Sequence, residues 1–310
     1  MLETNNLVKR SAQLQLLAFT LAENLRSGSF KSLSCGHGIE FSDVREYLPG
    51  DSVRSIDWNV TARFGRPFIK QYEEDRELSV FFVVDRSLSM FTGSYVPGSL
   101  VPQTSKNTAS ANEARLKIQT ASEVAALLLL ASERNAGANG AVLFDGAIQK
   151  SVPPKAGRDY AMMILSLLDD ISSCKVKGSA LANALKGAYQ LLKKRSLVFV
   201  ISDFRVSGWE QSFAALCQKH DVVAVRITDA IDSELPSLGM VSFFDTETKK
   251  RMLLPTSSKK FKMAWFMNNR SRSEVWHDFC IKHGASPLVI STAEDVSLAL
   301  SRFLGSKQKK

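Results

Sequence analysis

The sequence is poor in the residues that build metal clusters and covalent staples. It has only 4 cysteines and 4 histidines in 310 residues. Cys35, Cys174, Cys217 and Cys280 form no C-x-x-C pair, which argues against both a zinc ribbon and a dense disulfide framework. Reduced thiols are the simplest account. His37, His220, His277 and His283 show no ligand spacing, and the nearest two, His277 and His283, read as ordinary helix surface. Long hydrophobic runs are also missing. The longest, Val124 to Ala131, falls far short of the ~20 residues a spanning helix needs, so no membrane span is expected. Lys9 and Arg10 precede an apolar stretch, but Gln13 and Gln15 interrupt it and Glu23 follows. That pattern describes an amphipathic helix rather than a signal peptide, and a cytoplasmic location is the expectation. No G-x-x-x-x-G-K-[ST] phosphate loop, G-x-S-x-G elbow or H-E-x-x-H pair occurs, which removes the best-marked hydrolase classes.

What remains is an ordinary globular composition, 45% hydrophobic and 23% charged, able to support a proper core. The formal net charge is +9. Much of the excess sits late, in Lys249, Lys250 and Arg251, in Lys259, Lys260 and Lys262, and in Lys307, Lys309 and Lys310. A basic balance permits nucleic acid, anionic lipid or an acidic protein as partner and selects none of them. Phe261, Trp265, Phe266 and Trp276 could stack on bases, but their spacing fits a helix packing face better. Nucleic-acid binding through this basic third is therefore the weaker reading.

Along the chain, Leu7, Leu14, Leu17, Leu21 and Leu25 recur at helical spacing, predicting a helix over about 6–26 that Gly28 stops. From 29 to 77 the texture changes to turn signals, dense charge and a short strand at Ile69–Tyr72. Apolar runs then alternate with helical patterns. Ser79–Val84, Ala141–Phe144, Leu197–Ile201, Val222–Ile227 and Leu288–Ile290 read as strands buried on both faces. Helices are expected near 113–135, 158–171, 180–194, 209–219, 272–283 and 293–304. This alternation predicts an α/β fold, a doubly wound and mostly parallel sheet covered on both sides. Met240–Phe244 and Arg251–Leu254 read as a hairpin added to that sheet. The stretch Thr92–Asn112, rich in Ser, Thr, Gly, Pro and Asn, is a long loop directly after the first buried strand, where such loops are often functional.

The chemistry centres on Val80-Phe81-Phe82-Val83-Val84-Asp85-Arg86-Ser87-Leu88-Ser89-Met90. Ligands of open parallel sheets bind outside the carboxyl ends of the strands, and Asp85 stands at such an end. In D-x-S-x-S one carboxylate and two hydroxyls can turn toward one point while Leu88 and Met90 pack inward. An all-oxygen set suits Mg²⁺ or Mn²⁺, not zinc or copper. Alone, the pattern also describes a hydroxyl-capped turn. Two further elements add weight: Ser179, in a glycine-led loop entering a helix, and Asp203, at the end of the strand Leu197–Ser202. Their plain alternatives are a helix N-cap and a post-strand turn.

This arrangement resembles the metal-ion-dependent adhesion site of von Willebrand factor A domains. A second, longer resemblance precedes it. Gly36-His37-Gly38-Ile39-Glu40-Phe41, Val44-Arg45-Glu46-Tyr47-Leu48-Pro49-Gly50-Asp51, Arg54-Ser55-Ile56-Asp57-Trp58, Thr61-Ala62-Arg63 and Lys70-Gln71-Tyr72-Glu73-Glu74-Asp75-Arg76-Glu77 are similar to the signature of the bacterial domain of unknown function 58 family, which is associated with MoxR-type AAA+ ATPases. The resemblances imply two domains: 1–78, an N-terminal helix with a β-rich signature module, and 79–310, a von Willebrand factor A-like domain with a C-terminal hairpin and helices. They imply Mg²⁺ (or Mn²⁺) held by Asp85, Ser87, Ser89, Ser179 and Asp203, the hydroxyls directly and the acids through water. Ser179 stands where many relatives have Thr, and Arg86 would bring a cation close to the metal or to a partner's acid. For Arg45, Asp51, Arg54, Asp57 and Arg63 the expectation is a buried ion-pair network.

Function then divides three ways. A phosphohydrolase of the haloacid dehalogenase type needs a second acid two positions after its nucleophilic Asp, and here that position is Ser87, which is no useful proton donor at neutral pH. Nucleic-acid binding rests on charge alone. The leading expectation is a non-catalytic adaptor that docks a MoxR-type ATPase, a client protein, or both, through a partner carboxylate on the metal.

Overall fold

The computed structural model describes residues 39–48, 51–74, 79–93, 115–170, 176, 178–233, 235, 237–244 and 251–306. The helix expected at 6–26, all of the 92–112 loop beyond its first two residues, and the basic tail lie outside them. The chain divides into two compact units, the smaller spanning Ser34–Glu77.

In the smaller unit β1 (Ile39–Glu46) pairs antiparallel with β2 (Phe68–Glu74), with an irregularity between Phe41 and Asp43. Between them lies α1 (Trp58–Phe64). Asp57 caps this helix by accepting from the Asn59 and Val60 amides, and Gly65, at φ 67°, ends it in the left-handed region that a Cβ disfavours. Arg45 makes a two-pronged pair with Asp51, at 2.8 and 2.7 Å. Of the buried ion-pair network expected here, Arg45 and Asp51 do pair but are not buried, and the Arg54 side chain lies outside what is described. The Arg45–Asp51 pair is about a third exposed on the arginine side, Asp57 serves the helix cap, and Arg63 is exposed.

The larger unit is built on a six-stranded sheet. In chain order its strands are β3 (Ser79–Asp85), β4 (Ala138–Phe144), β5 (Ile148–Lys155), β6 (Leu197–Ser202), β7 (Asp221–Thr228) and β10 (Ser286–Ser291), in spatial order β10-β7-β6-β3-β4-β5. All pairings are parallel except that of edge strand β5 with β4. The protein is thus mixed α/β with a mostly parallel central sheet. Strand alternation sorts the core into two layers. Val80, Phe82 and Val84, with Phe199, Ile201, Val223 and Val225, face one side. There they pack on α2 (Lys117–Arg134), α3 (Arg158–Asp169) and α8 (Val296–Ser306). Phe81 and Val83, with Val142, Phe144, Val198 and Val200, face the other. They meet α4 (Leu181–Leu191), α5 (Glu210–Lys219) and the C-terminal part of α7 (Lys259–Lys282) through Trp276 and Cys280. Helix α6 (Ala230–Ser233) is a single turn after β7.

Two elements differ from the sequence pattern. β8 (Met240–Phe244) and β9 (Arg251–Pro255) form a hairpin, but as a separate two-stranded sheet rather than an extension of the large one. Met240 and Leu253 on it are exposed, so no burial ties it to a sheet edge. Helix α7 begins at Lys259, well before the expected 272, taking in Phe261, Trp265 and Phe266 at the helical spacing already noted; its fully buried residues, Trp276 and Cys280, lie in its second half.

Candidate functional site

β3 has β4 on one side and β6 on the other, so the chain leaves β3 towards β4 and leaves the adjacent β6 in the opposite direction, towards β7. That is the place where a doubly wound sheet opens a crevice. Asp85 is its last residue and is 1% exposed. The next turn, Leu88–Phe91, is anchored by fully buried Met90, whose amide donates to the Ser87 carbonyl at 2.9 Å. Leu88 is only half-buried.

Both Asp85 oxygens are engaged. Oδ1 accepts from the Ser87 amide at 2.8 Å, and Oδ2 accepts from the Ser202 hydroxyl at 2.6 Å. The first bond folds the D-x-S-x-S turn back on its own acid; it leaves the Ser87 and Ser89 hydroxyls 3.1 Å apart. Burial, reinforced by the negative charge of Asp203, pushes the Asp85 carboxyl up to about 7, against the pull of its hydrogen bonds.

The other two residues flank β3. On the β6 side Asp203 follows Ser202. Its Oδ1 accepts from the Arg205 amide at 3.2 Å, while its buried Oδ2 accepts no hydrogen bond among the described residues. Phe204, immediately after, has φ 51°, an uncommon conformation for an aromatic residue. It is held there by ring contacts with Trp209, Phe213 and Trp276 and by its amide bond to Ser202 Oγ. On the β4 side, Phe144 is in register with Asp85, and the following carbonyl, that of Asp145, accepts from the Ala180 amide at 2.6 Å. This bond ties the Ser179 loop to the same end of the sheet. Ser179 is not the helix cap that a plain reading of the sequence allows. The cap position is Ala180, and the buried Ser179 hydroxyl has no hydrogen-bond partner among the described residues.

Arg86 departs from expectation. Its side chain is buried, and Nη2 donates to the Leu167 carbonyl near the end of α3. It is directed into the protein and cannot greet a partner's acid. The cation beside the carboxylates is instead Lys117, 1% exposed, with Nζ 3.7 Å from Asp203 Oδ2 and 3.4 Å from Asp232 Oδ2. Arg205 completes the group, its Nε 3.7 Å from Asp203 Oδ2 and its terminal nitrogen paired with Asp232. Lys117, Ser202 and Asp232 do not emerge from the sequence reading. One signal marks Lys117: it is spaced four, seven and eleven residues from Ala121, Val124 and Leu128, all buried, so it falls in the apolar stripe of its helix.

Chemically, the sheet end offers two carboxylates and several hydroxyls, with no nitrogen or sulfur donor. Among the described residues no group of three or more His, Cys, Asp and Glu side chains could hold a metal, so any cation here must depend on the serines. Ser179 Oγ, buried with no hydrogen-bond partner among the described residues, and Asp203 Oδ2, met only by ion pairs at 3.7 Å, fit a hard cation, since a buried polar atom short of hydrogen bonds is costly. The raised Asp85 carboxyl points the same way.

The model of the family described as protein of unknown function DUF58 matches residues 43–98 and 99–275. This chain belongs to that family. An uncharacterized protein of Mycobacterium bovis is 31% identical over 248 residues, covering 77% of this chain and 72% of the relative. An uncharacterized protein of Mycobacterium tuberculosis matches with the same figures. Among solved structures, the conserved hypothetical protein BatB of Bacteroides thetaiotaomicron is 14% identical, with 75% of this chain and 100% of that one covered and a TM-score of 0.47. An aerotolerance-related membrane protein of Bacteroides fragilis gives 14%, 75%, 98% and 0.44. No helix among the described residues is long and apolar enough to cross a membrane.

Proposed function

We propose that this DUF58 protein is a non-catalytic adaptor with a von Willebrand factor A-like fold, docking other proteins through a divalent cation of the adhesion-site type. The observation that carries the reading is a pair of buried oxygens without a hydrogen bond among the described residues, Ser179 Oγ and Asp203 Oδ2, the latter met only by ion pairs at 3.7 Å, on either side of a carboxyl that burial and a neighbouring acid have raised to about 7. Mg²⁺ or Mn²⁺ would be held by the hydroxyls of Ser87, Ser89 and Ser179, with Asp85 and Asp203 acting through water. Bound there, the ion would supply an open coordination position for a partner's carboxylate.

The protein's own groups argue against turnover. A phosphohydrolase of the haloacid dehalogenase type needs a second acid two positions after its nucleophilic Asp, and the residue two positions after Asp85 is Ser87, which is no useful proton donor at neutral pH. The partner suggested by the family resemblance is a MoxR-type AAA+ ATPase or its client. Complex formation in biolayer interferometry should weaken in EDTA and in Asp85→Ala, with no further effect of EDTA on the variant. Lys309→Glu in the basic tail should change little. Equal binding with EDTA and with Asp85→Ala, together with failure of the tail variant, would replace the metal-centred contact by electrostatic docking.

A further inference from the structure

Lys117 is costly where it stands. It opens α2, where the helix dipole disfavours a cation, and it is almost fully removed from water, which lysine tolerates only when paired. Its two neighbours are the Asp203 and Asp232 carboxylates, at 3.7 and 3.4 Å. The Asp203 oxygen it approaches is the unsatisfied Oδ2. Asp232 is the more firmly held of the two: its Oδ2 also accepts from the Asp229 amide at 3.0 Å, and its other oxygen pairs with Arg205.

We propose that Lys117 is an internal competitor for the divalent cation, neutralising Asp203 while the site is empty and falling back on Asp232 when the cation binds. The inference rests on the cation reading of the site. An ammonium and a divalent ion drawn to one carboxylate in a poorly screened interior repel each other strongly. Lys117 therefore keeps intrinsic affinity low. It also links occupancy to the Arg205–Asp232 pair on the rim, where Arg205 is partly exposed. The arrangement makes a partner's carboxylate matter more, because it returns the negative charge that Lys117 cancels.

The test is Mn²⁺ binding to the full chain, followed by electron paramagnetic resonance. Lys117→Met should bind Mn²⁺ at least ~10-fold more tightly than the native protein, about 1.4 kcal/mol. Asp232→Asn should bind it more weakly, because Lys117 then has only Asp203 to lean on. In the Lys117→Met background Asp232→Asn should have little effect, which simple loss of a nearby negative charge does not predict. If Lys117→Met does not fold, Lys117→Gln removes the charge and keeps a donor, with the same expected tightening. Unchanged or weaker binding in the lysine variants overturns the proposal. A protein in which neither the native chain nor any variant binds Mn²⁺ overturns the cation reading itself, and the competitor with it.

Discussion

Asp85→Asn should stabilise the metal-free protein at alkaline pH while destroying its response to metal. The carboxyl is raised from 3.8 to about 7 by burial and by Asp203. A carboxyl raised in the fold binds a proton that the unfolded chain has already released, so its contribution is favourable in acid and is lost as pH rises from about 4 to about 7. Each unit is worth 1.36 kcal/mol, which puts the ceiling near ~4 kcal/mol; relaxation and water entry reduce this to ~2–4 kcal/mol. Asparagine keeps the local structure. Its carbonyl can accept from the Ser87 amide, and its amide can donate to the Ser202 hydroxyl, which now accepts rather than donates. In EDTA near pH 8 the variant should therefore be more stable by ~2–4 kcal/mol, a rise in Tm on the order of 5–10 °C for a unit this size. Near pH 4.5 the gap should nearly close, because protonated Asp85 and asparagine are then equivalent. With Mn²⁺ added, only the native protein should gain stability, by mass action on the folded state. Urea unfolding followed by circular dichroism, repeated across that pH range, measures all three. A variant less stable than the native protein near pH 8 in EDTA, by an amount independent of pH, would refute the reasoning: Asp85 would then be comfortable as an ion and in no need of a counter-cation.

Two further predictions test the fold away from the site. His220 is 2% exposed with neither ring nitrogen hydrogen-bonded among the described residues, and burial, then Lys219, pushes it down to about 4; stability should be lost as pH falls from about 6.5 towards 4, by at most ~3.4 kcal/mol, and His220→Phe should flatten that slope in unfolding titrations. At Gly140 an added Cβ would meet the Phe81 ring and the Pro154 backbone nitrogen, both at 2.8 Å, so Gly140→Ala should cost ~1–3 kcal/mol. At Gly187, inside α4, the nearest atom would lie at 3.5 Å, so Gly187→Ala should add ~0.5–1 kcal/mol. Equal effects at the two glycines would mean that β4 can move away from β5.

The strands most legible in the sequence are those with no exposed face, although edge strand β10 is also legible, from Leu288–Ile290, with Val289 exposed. β3 and β6 are buried along almost their whole length, so each reads as an unbroken apolar run. β5 escaped notice because it is an edge: only Val152 is buried, and Pro153 and Pro154 follow it, a composition that edge strands tolerate and central strands do not. The first half of α7 is legible only in part. Phe261 and Trp265 show helical spacing and are partly buried, but Met263, Phe266 and Met267 lie exposed among Lys259, Lys260 and Lys262, which blurs the start of the helix. In the site, local sequence was enough for Asp85, Ser87 and Ser89, which lie within five consecutive residues, and strand ends pointed to Asp203. Ser202 could have been read from the same strand end. Lys117 could not be joined to Asp203 by spacing, since 86 positions separate them and only the sheet order brings them together.

Several misfits of the larger unit gather at the carboxyl end of its sheet. Lys117 is buried at a helix start, Ser179 holds a buried hydroxyl with no hydrogen-bond partner among the described residues beside a helix it does not cap, Phe204 takes a left-handed backbone, and Asp85 is held where ionising it is costly. Each breaks a local rule that the rest of the unit mostly obeys, and such violations persist where the surroundings over-determine them. The surroundings here are the two core layers, which clamp β3 from both faces and leave its carboxyl end no freedom to relax. A rigid sheet can therefore hold like charges, an orphaned oxygen and a buried ammonium in place together. On the proposed reading, a divalent cation would relieve the carboxylates and the Ser179 hydroxyl together, at the expense of Lys117, whose second carboxylate lies 3.4 Å away.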